Sequence, residues 1–136
     1  MSVAKDSRSA GLDGLPAYDR ELALERAGGD AVRAARYLEM LLGAFGEARE
    51  GLATGARDGN WPDMQRKLHT LAGASLYCGA TALHGAAQRS EAMLKEGRVA
   101  EARPMLDLVL EEMARLETAA REGAGVEMPP DQGVDA

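Results

Sequence analysis

Apolar residues recur at spacings of three and four along most of this chain, the period of helices that bury one face. The first such stretch is short, residues 17–27 ("AYDRELALERA"), and Gly28-Gly29 ends it. Asp30 follows as an N-cap, a carboxylate placed to accept the free N–H groups of a first helical turn. A long pattern over 31–56 carries Ala31, Ala35, Leu38, Leu42, Phe45 and Leu52 on one stripe, broken by Arg49. Asp58-Gly59-Asn60 is a turn; Asn60 caps the next helix, and Pro62 sits in its first turn, where a missing N–H is harmless. The stripe of that helix is Trp61, Met64, Leu68, Leu71, Ser75 and Cys78, and Gly79 breaks it or starts a tight joint. Residues 80–96 bury Leu83, Ala87, Ser90 and Leu94, and Gly97 stops them. Residues 99–121 carry Ala102, Leu106, Val109, Met113, Leu116 and Ala120, with Pro104 in the first turn or at a kink.

These elements predict an all-α fold, an antiparallel four-helix bundle with a short additional N-terminal helix. The domain spans residues 15–122. Residues 1–14 read as a flexible lead, and 123–136 ("GAGVEMPPDQGVDA") as a disordered tail.

Composition supports helix over sheet: the 136 residues include no isoleucine, six valines and only 4% aromatics. The apolar runs are too short to span a membrane, and the N-terminus lacks a signal-peptide core. A single cysteine, Cys78, forms no internal disulfide and suits a reducing cytoplasm. It lies on a buried stripe and reads as an inert thiol. The net charge of −6 argues against nucleic acid as the main partner. There is no Walker loop or dinucleotide fingerprint, so no ATP-dependent activity is expected. His69, Cys78 and His84 do not have a structural zinc spacing, and no metal site is expected. The acidic residues of the last helix, Glu111, Glu112 and Glu117, read as a solvated face.

One segment, "MQRKLHTLAGASLYCG" (64–79), stands apart, with a histidine and then a glycine one turn later. Glycine inside a helix costs about 1 kcal/mol relative to alanine. At 100° per residue, His69 lies roughly 130° from the buried stripe and faces outward, together with Gln65, Arg66, Gly73 and Leu76. Gly73 is thus a notch beside an exposed imidazole rather than a close helix contact in the core. Arg66 and Lys67 bring positive charge, and Leu76 an apolar contact. A neutral imidazole is a competent nucleophile near pH 7 and can hold a phosphoryl group as a phosphoramidate.

The run "LHTLAGASLYCGATAL" (68–83) resembles the central motif of histidine-containing phosphotransfer (HPt) domains: His-x-Leu-Lys-Gly, a further glycine about ten residues after the histidine, then leucine. His69, Leu71, Ala72, Gly73, Gly79 and Leu83 occupy those places. The upstream "LPAYDRELALERAGGDAVRAARYLEMLLGAF" and the "YCG" element look most like the C-terminal module of BarA/GacS-type hybrid sensor kinases. The resemblance implies a phosphorelay, with His69 accepting a phosphoryl group at Nε2 from the aspartate of one receiver domain and passing it to a response regulator. It implies that Gly73 gives the receiver room. It implies no intrinsic cofactor, the Mg²⁺ of transfer being brought by the receiver's carboxylates. The chain departs from the motif at Ala72, where the family usually has lysine, and Arg66 or Lys67 is the expected substitute, Arg66 first. The second histidine, His84, has no glycine notch and reads as structural or surface.

Two other readings use the same helices. One is a non-catalytic helical adaptor with His69 incidental. The other is the dimerisation bundle of a histidine kinase, which usually has an acidic residue directly after its histidine; Thr70 stands there instead. The expected protein is a cytoplasmic monomer.

Overall fold

A computed structural model describes residues 11–123. Among the described residues there are six helices and no strand: α1 (Arg20–Arg26), α2 (Ala31–Gly43), α3 (Phe45–Asp58), α4 (Trp61–Tyr77), α5 (Thr81–Lys95) and α6 (Val99–Glu122). Helices α3 to α6 form the four-helix bundle, with α4 against α5, α5 against α6, and α3 against both α4 and α6. Helix α2 continues α3 at one end of the bundle, and α1 packs on α2.

The local signals act as expected at most boundaries. Asp30 accepts from the Arg33 N–H and Asn60 from the Asp63 N–H. Asp19, which the periodicity did not single out, caps α1 through the Leu22 N–H and delays its start from residue 17 to Arg20. Gly59 ends α3 in the left-handed region at φ 70°, a conformation glycine adopts without steric cost. Helix α6 runs through Pro104 without ending.

The single helix expected over 31–56 is two. Ala44 interrupts it, its N–H turning to the Leu41 carbonyl at 3.1 Å in a tighter, 3₁₀-type bond. Gly43 and Gly46 flank the break, and glycine lowers the resistance of a helix to kinking. The stripe continues across it, since Leu38, Leu41, Leu42, Phe45 and Leu52 are all buried, whereas Ala31 at the start of α2 is exposed.

One core runs the length of the bundle, with Leu38, Phe45, Met64, Leu68, Leu83, Met105, Val109, Met113 and Leu116 sealed from solvent. A smaller cluster, Ala23, Ala27 and Ala34 with Tyr18 and Tyr37, fixes α1 on α2. Arg49, the residue that broke the α3 stripe, forms a two-pronged ion pair with Glu117 of α6 at 2.6 and 3.0 Å. Glu117 therefore ties two helices together instead of belonging to a solvated face. Of the expected lead, residues 11–14 form a turn whose Leu12 packs on the core. The rest of the lead, and the expected tail from residue 124, lie outside the described residues. No helix among the described residues is long and apolar enough to cross a membrane.

Candidate functional site

Helix α4 carries the site, and its burial pattern sets where each side chain points. Met64, Leu68, Leu71, Ser75 and Cys78 are buried, which leaves the opposite arc to solvent. His69 stands on that arc with 74% of its side chain exposed. One turn on, Gly73 is exposed as well, and a Cβ built there would meet nothing within 4 Å. No neighbour requires that glycine, so its helix-propensity cost is unrecovered within the fold.

The imidazole is held from the neighbouring helix. Glu91 of α5 lies 22 residues away in sequence, and its Oε2 is 2.9 Å from His69 Nδ1. A carboxylate only accepts, so Nδ1 carries the proton, and in the neutral ring Nε2 keeps a lone pair aimed outward. Only 10% of the Glu91 side chain is exposed, and Lys95 Nζ lies 3.6 Å from the same Oε2. The result is a chain of three groups, ammonium, carboxylate and imidazole, across α5 and α4. Glu91 and Lys95 were absent from the sequence reading. The only available signal was an acid beside Ser90 on the edge of the α5 stripe.

Of the other expected site residues, Arg66 and Lys67 are exposed and Gln65 and Leu76 half-buried. Arg66 and Lys67 both pair with Asp63, at 3.1 and 2.5 Å, and hold its carboxyl below the usual carboxylate range, Lys67 contributing most. Both line an open depression of about 450 Å³ between α4 and the α2–α3 junction, with Leu41, Ala44, Thr70 and Ala74. Lys67 packs toward Gly51 on the α3 side of α4, His69 leans to the α5 side, and Arg66 stands on the outward arc between them.

Ala72 does not join this surface. It is 5% exposed and belongs to the core. The cause is that α4 is flanked by both α3 and α5 and so buries a wider arc than a single stripe. The Ala72 carbonyl accepts from Nδ1–H of His84 at 2.9 Å, which gives the second histidine a structural bond between α5 and α4. Tyr77, two turns past His69, is half exposed and stacks on Tyr37 of α2 with ring centroids 5.4 Å apart. It adds an aromatic edge that the wheel did not indicate.

At the end of α4, Gly79 sits at φ 79°, and its carbonyl accepts from the Asp19 N–H at 2.8 Å. A Cβ there would come within 2.9 Å of Ala23 Cβ, so the α4–α5 joint admits no side chain. Cys78 is buried, with its Sγ 3.3 Å from the Tyr37 carbonyl, and burial pushes the thiol up to about 11. Among the described residues no group of three or more His, Cys, Asp or Glu side chains converges as a metal site.

Comparison with known proteins agrees with the helical bundle. The Hpt domain family matches residues 36–119. Sensor histidine kinase GacS of Pseudomonas protegens is 34% identical over 121 residues, covering 89% of this chain and 13% of that protein. Sensor protein GacS of Pseudomonas syringae pv. syringae is 34% identical over 103 residues, covering 76% of this chain and 11% of that protein. The chain thus spans roughly an eighth of the length of these relatives. No solved structure matches it. With a helical bundle, an outward histidine and a family match over most of its helices, the chain belongs to the Hpt domain family, the histidine phosphotransfer modules of two-component phosphorelays.

Proposed function

We propose that His69 is the phospho-accepting residue of this module, and that it exchanges phosphoryl groups with receiver-domain aspartates. The observation that carries the reading is the pairing of an imidazole fixed through Nδ1 with an open glycine one turn on. The neutral Nε2 lone pair attacks the phosphorus of the receiver's aspartyl phosphate. The N–P bond forms, the P–O bond to the acyl oxygen breaks, and the aspartate leaves as a carboxylate. No proton need move, because Nδ1 keeps its hydrogen and goes on donating it to Glu91. The ring acquires positive charge beside that carboxylate, and this stabilises the phosphorylated form. Transfer to a second receiver is the same step reversed.

An acyl phosphate is already activated, so this chemistry asks for access, alignment and charge compensation rather than a nucleotide site. Gly73 supplies access, with the exposed edges of Leu76 and Tyr77 for apolar contact and Arg66 and Lys67 as a basic rim. The partners are then a receiver domain upstream and a response regulator downstream, with Mg²⁺ held by the receiver. The module is a phosphocarrier without kinase activity of its own, and it works as a cytoplasmic monomer.

Incubation with a phosphorylated receiver domain of the source organism should place one acid-labile, alkali-stable label on the wild-type chain and none on His69→Gln. A label retained by His69→Gln would refute the assignment.

A further inference from the structure

The family motif asks for a lysine three residues after the histidine, and this chain has a buried alanine there. Its methyl group carries no charge, so the phosphoryl group must find its cation elsewhere. We propose that Lys95, on α5, is that cation, and that phosphorylation itself releases it. The inference rests on His69 being the phospho-acceptor.

Three observations lead there. His69 leans to the α5 side, where its Nδ1 and the Lys95 ammonium touch the same oxygen, Glu91 Oε2, at 2.9 and 3.6 Å. Arg66 lies one turn before His69 on the same outward face, but its guanidinium is turned to Asp63, 3.1 Å away, and lines the depression beside α3 together with Lys67. The Lys95 side chain is 59% exposed and ends the last turn of α5, so its stem is free to swing.

Charge bookkeeping then supplies the switch. Before transfer the ring is neutral, and Glu91 is balanced by Lys95 alone. After transfer the ring, still protonated at Nδ1 and now bonded to phosphorus at Nε2, is cationic and takes the carboxylate for itself. Lys95 loses its counter-charge as a phosphoryl group with nearly two negative charges arrives within reach of its side chain. The ammonium turns to the phosphoryl oxygens, which leaves the site about one negative charge short of neutrality instead of the two it would carry without Lys95.

A helix-stabilising pair between Glu91 and Lys95, four residues apart, would touch stability only, by roughly 0.3–0.5 kcal/mol. The two roles therefore separate by experiment. The full chain is phosphorylated with phosphoramidate, which gives up its phosphoryl group and releases ammonia, and the phosphohistidine is titrated by ³¹P NMR. Removing a nearby cation disfavours the dianion, so in Lys95→Met the phosphoryl pKa should rise by about half a unit or more. Transfer to a receiver should slow several-fold. Lys95→Arg should restore both, and Arg66→Ala should shift the titration less than Lys95→Met does. A wild-type titration curve in Lys95→Met, or a larger shift in Arg66→Ala, would overturn the proposal while leaving His69 as acceptor. A wild-type chain that takes no phosphoryl group on His69 would overturn the reading beneath it.

Discussion

The glycines of this protein separate structure from function at the scale of single residues. Gly73 is helical with open space around it, whereas Gly79 is left-handed and pressed against α1. Their alanine variants should move stability in opposite directions. Gly73→Ala should gain about 0.5–1 kcal/mol by removing a glycine from a helix interior. Gly79→Ala should lose about 1–2 kcal/mol from the left-handed backbone alone, with more from the contacts at Asp19 and Ala23. Urea midpoints of the two variants test the signs. If Gly73 serves receiver docking, its stabilised variant should also transfer more slowly, and Gly73→Glu should block transfer with helix content unchanged. Cys78 gives a pH signature of its own. Its folded pKa lies near 11 against 9 for a free thiol, because burial disfavours the thiolate. Below pH 9 the thiol is protonated in both states and its burial is free of penalty. Between 9 and 11 the unfolded chain loses the proton first, so stability falls as pH rises. Wild type should therefore lose about 1–2 kcal/mol more than Cys78→Ala between pH 8 and 10.5.

At the scale of elements, the α3–α4 contact is set by a small residue. A Cβ at Gly55 would run into the Sδ and Cγ of Met64, a fully buried side chain. Gly55→Ala should therefore cost about 1–3 kcal/mol through overpacking, read as a lower thermal midpoint, even though alanine is the better helix former. The stripes of α4, α5 and α6 were legible in the sequence because each is a long, uninterrupted helix whose period holds. The break at Ala44 was not, since both halves keep the same buried face and the chain carries no proline there. Helix α5 is the instructive case. Its core positions were readable, but nothing local says which flank of that stripe meets α4. That rotation is what brings Glu91 to His69, with Lys95 on the same carboxylate, and sends His84 to the Ala72 carbonyl.

For the whole molecule, one core joins all four bundle helices, so large-to-small changes in it should be felt globally. Leu68→Ala, at a fully sealed position on the site helix, should cost about 2–5 kcal/mol and unfold the chain in a single transition. The four bundle helices all come from one chain and bury their stripes on one another. Light scattering should accordingly give a monomer mass at micromolar concentration; a dimer would favour the kinase dimerisation reading.

By itself, the sequence determined the helical class, most element boundaries and the outward direction of His69 and Gly73. Each of these follows from local periodicity, capping and helix geometry. The tertiary structure alone decided what the histidine is bonded to, that Ala72 is interior, and that the Arg66 guanidinium is engaged by Asp63. Those depend on how neighbouring helices are rotated about their axes, and that rotation is settled by the packing of the common core, not by any one segment. The missing lysine of the motif reads as a loss along α4 and as a relocation across to α5.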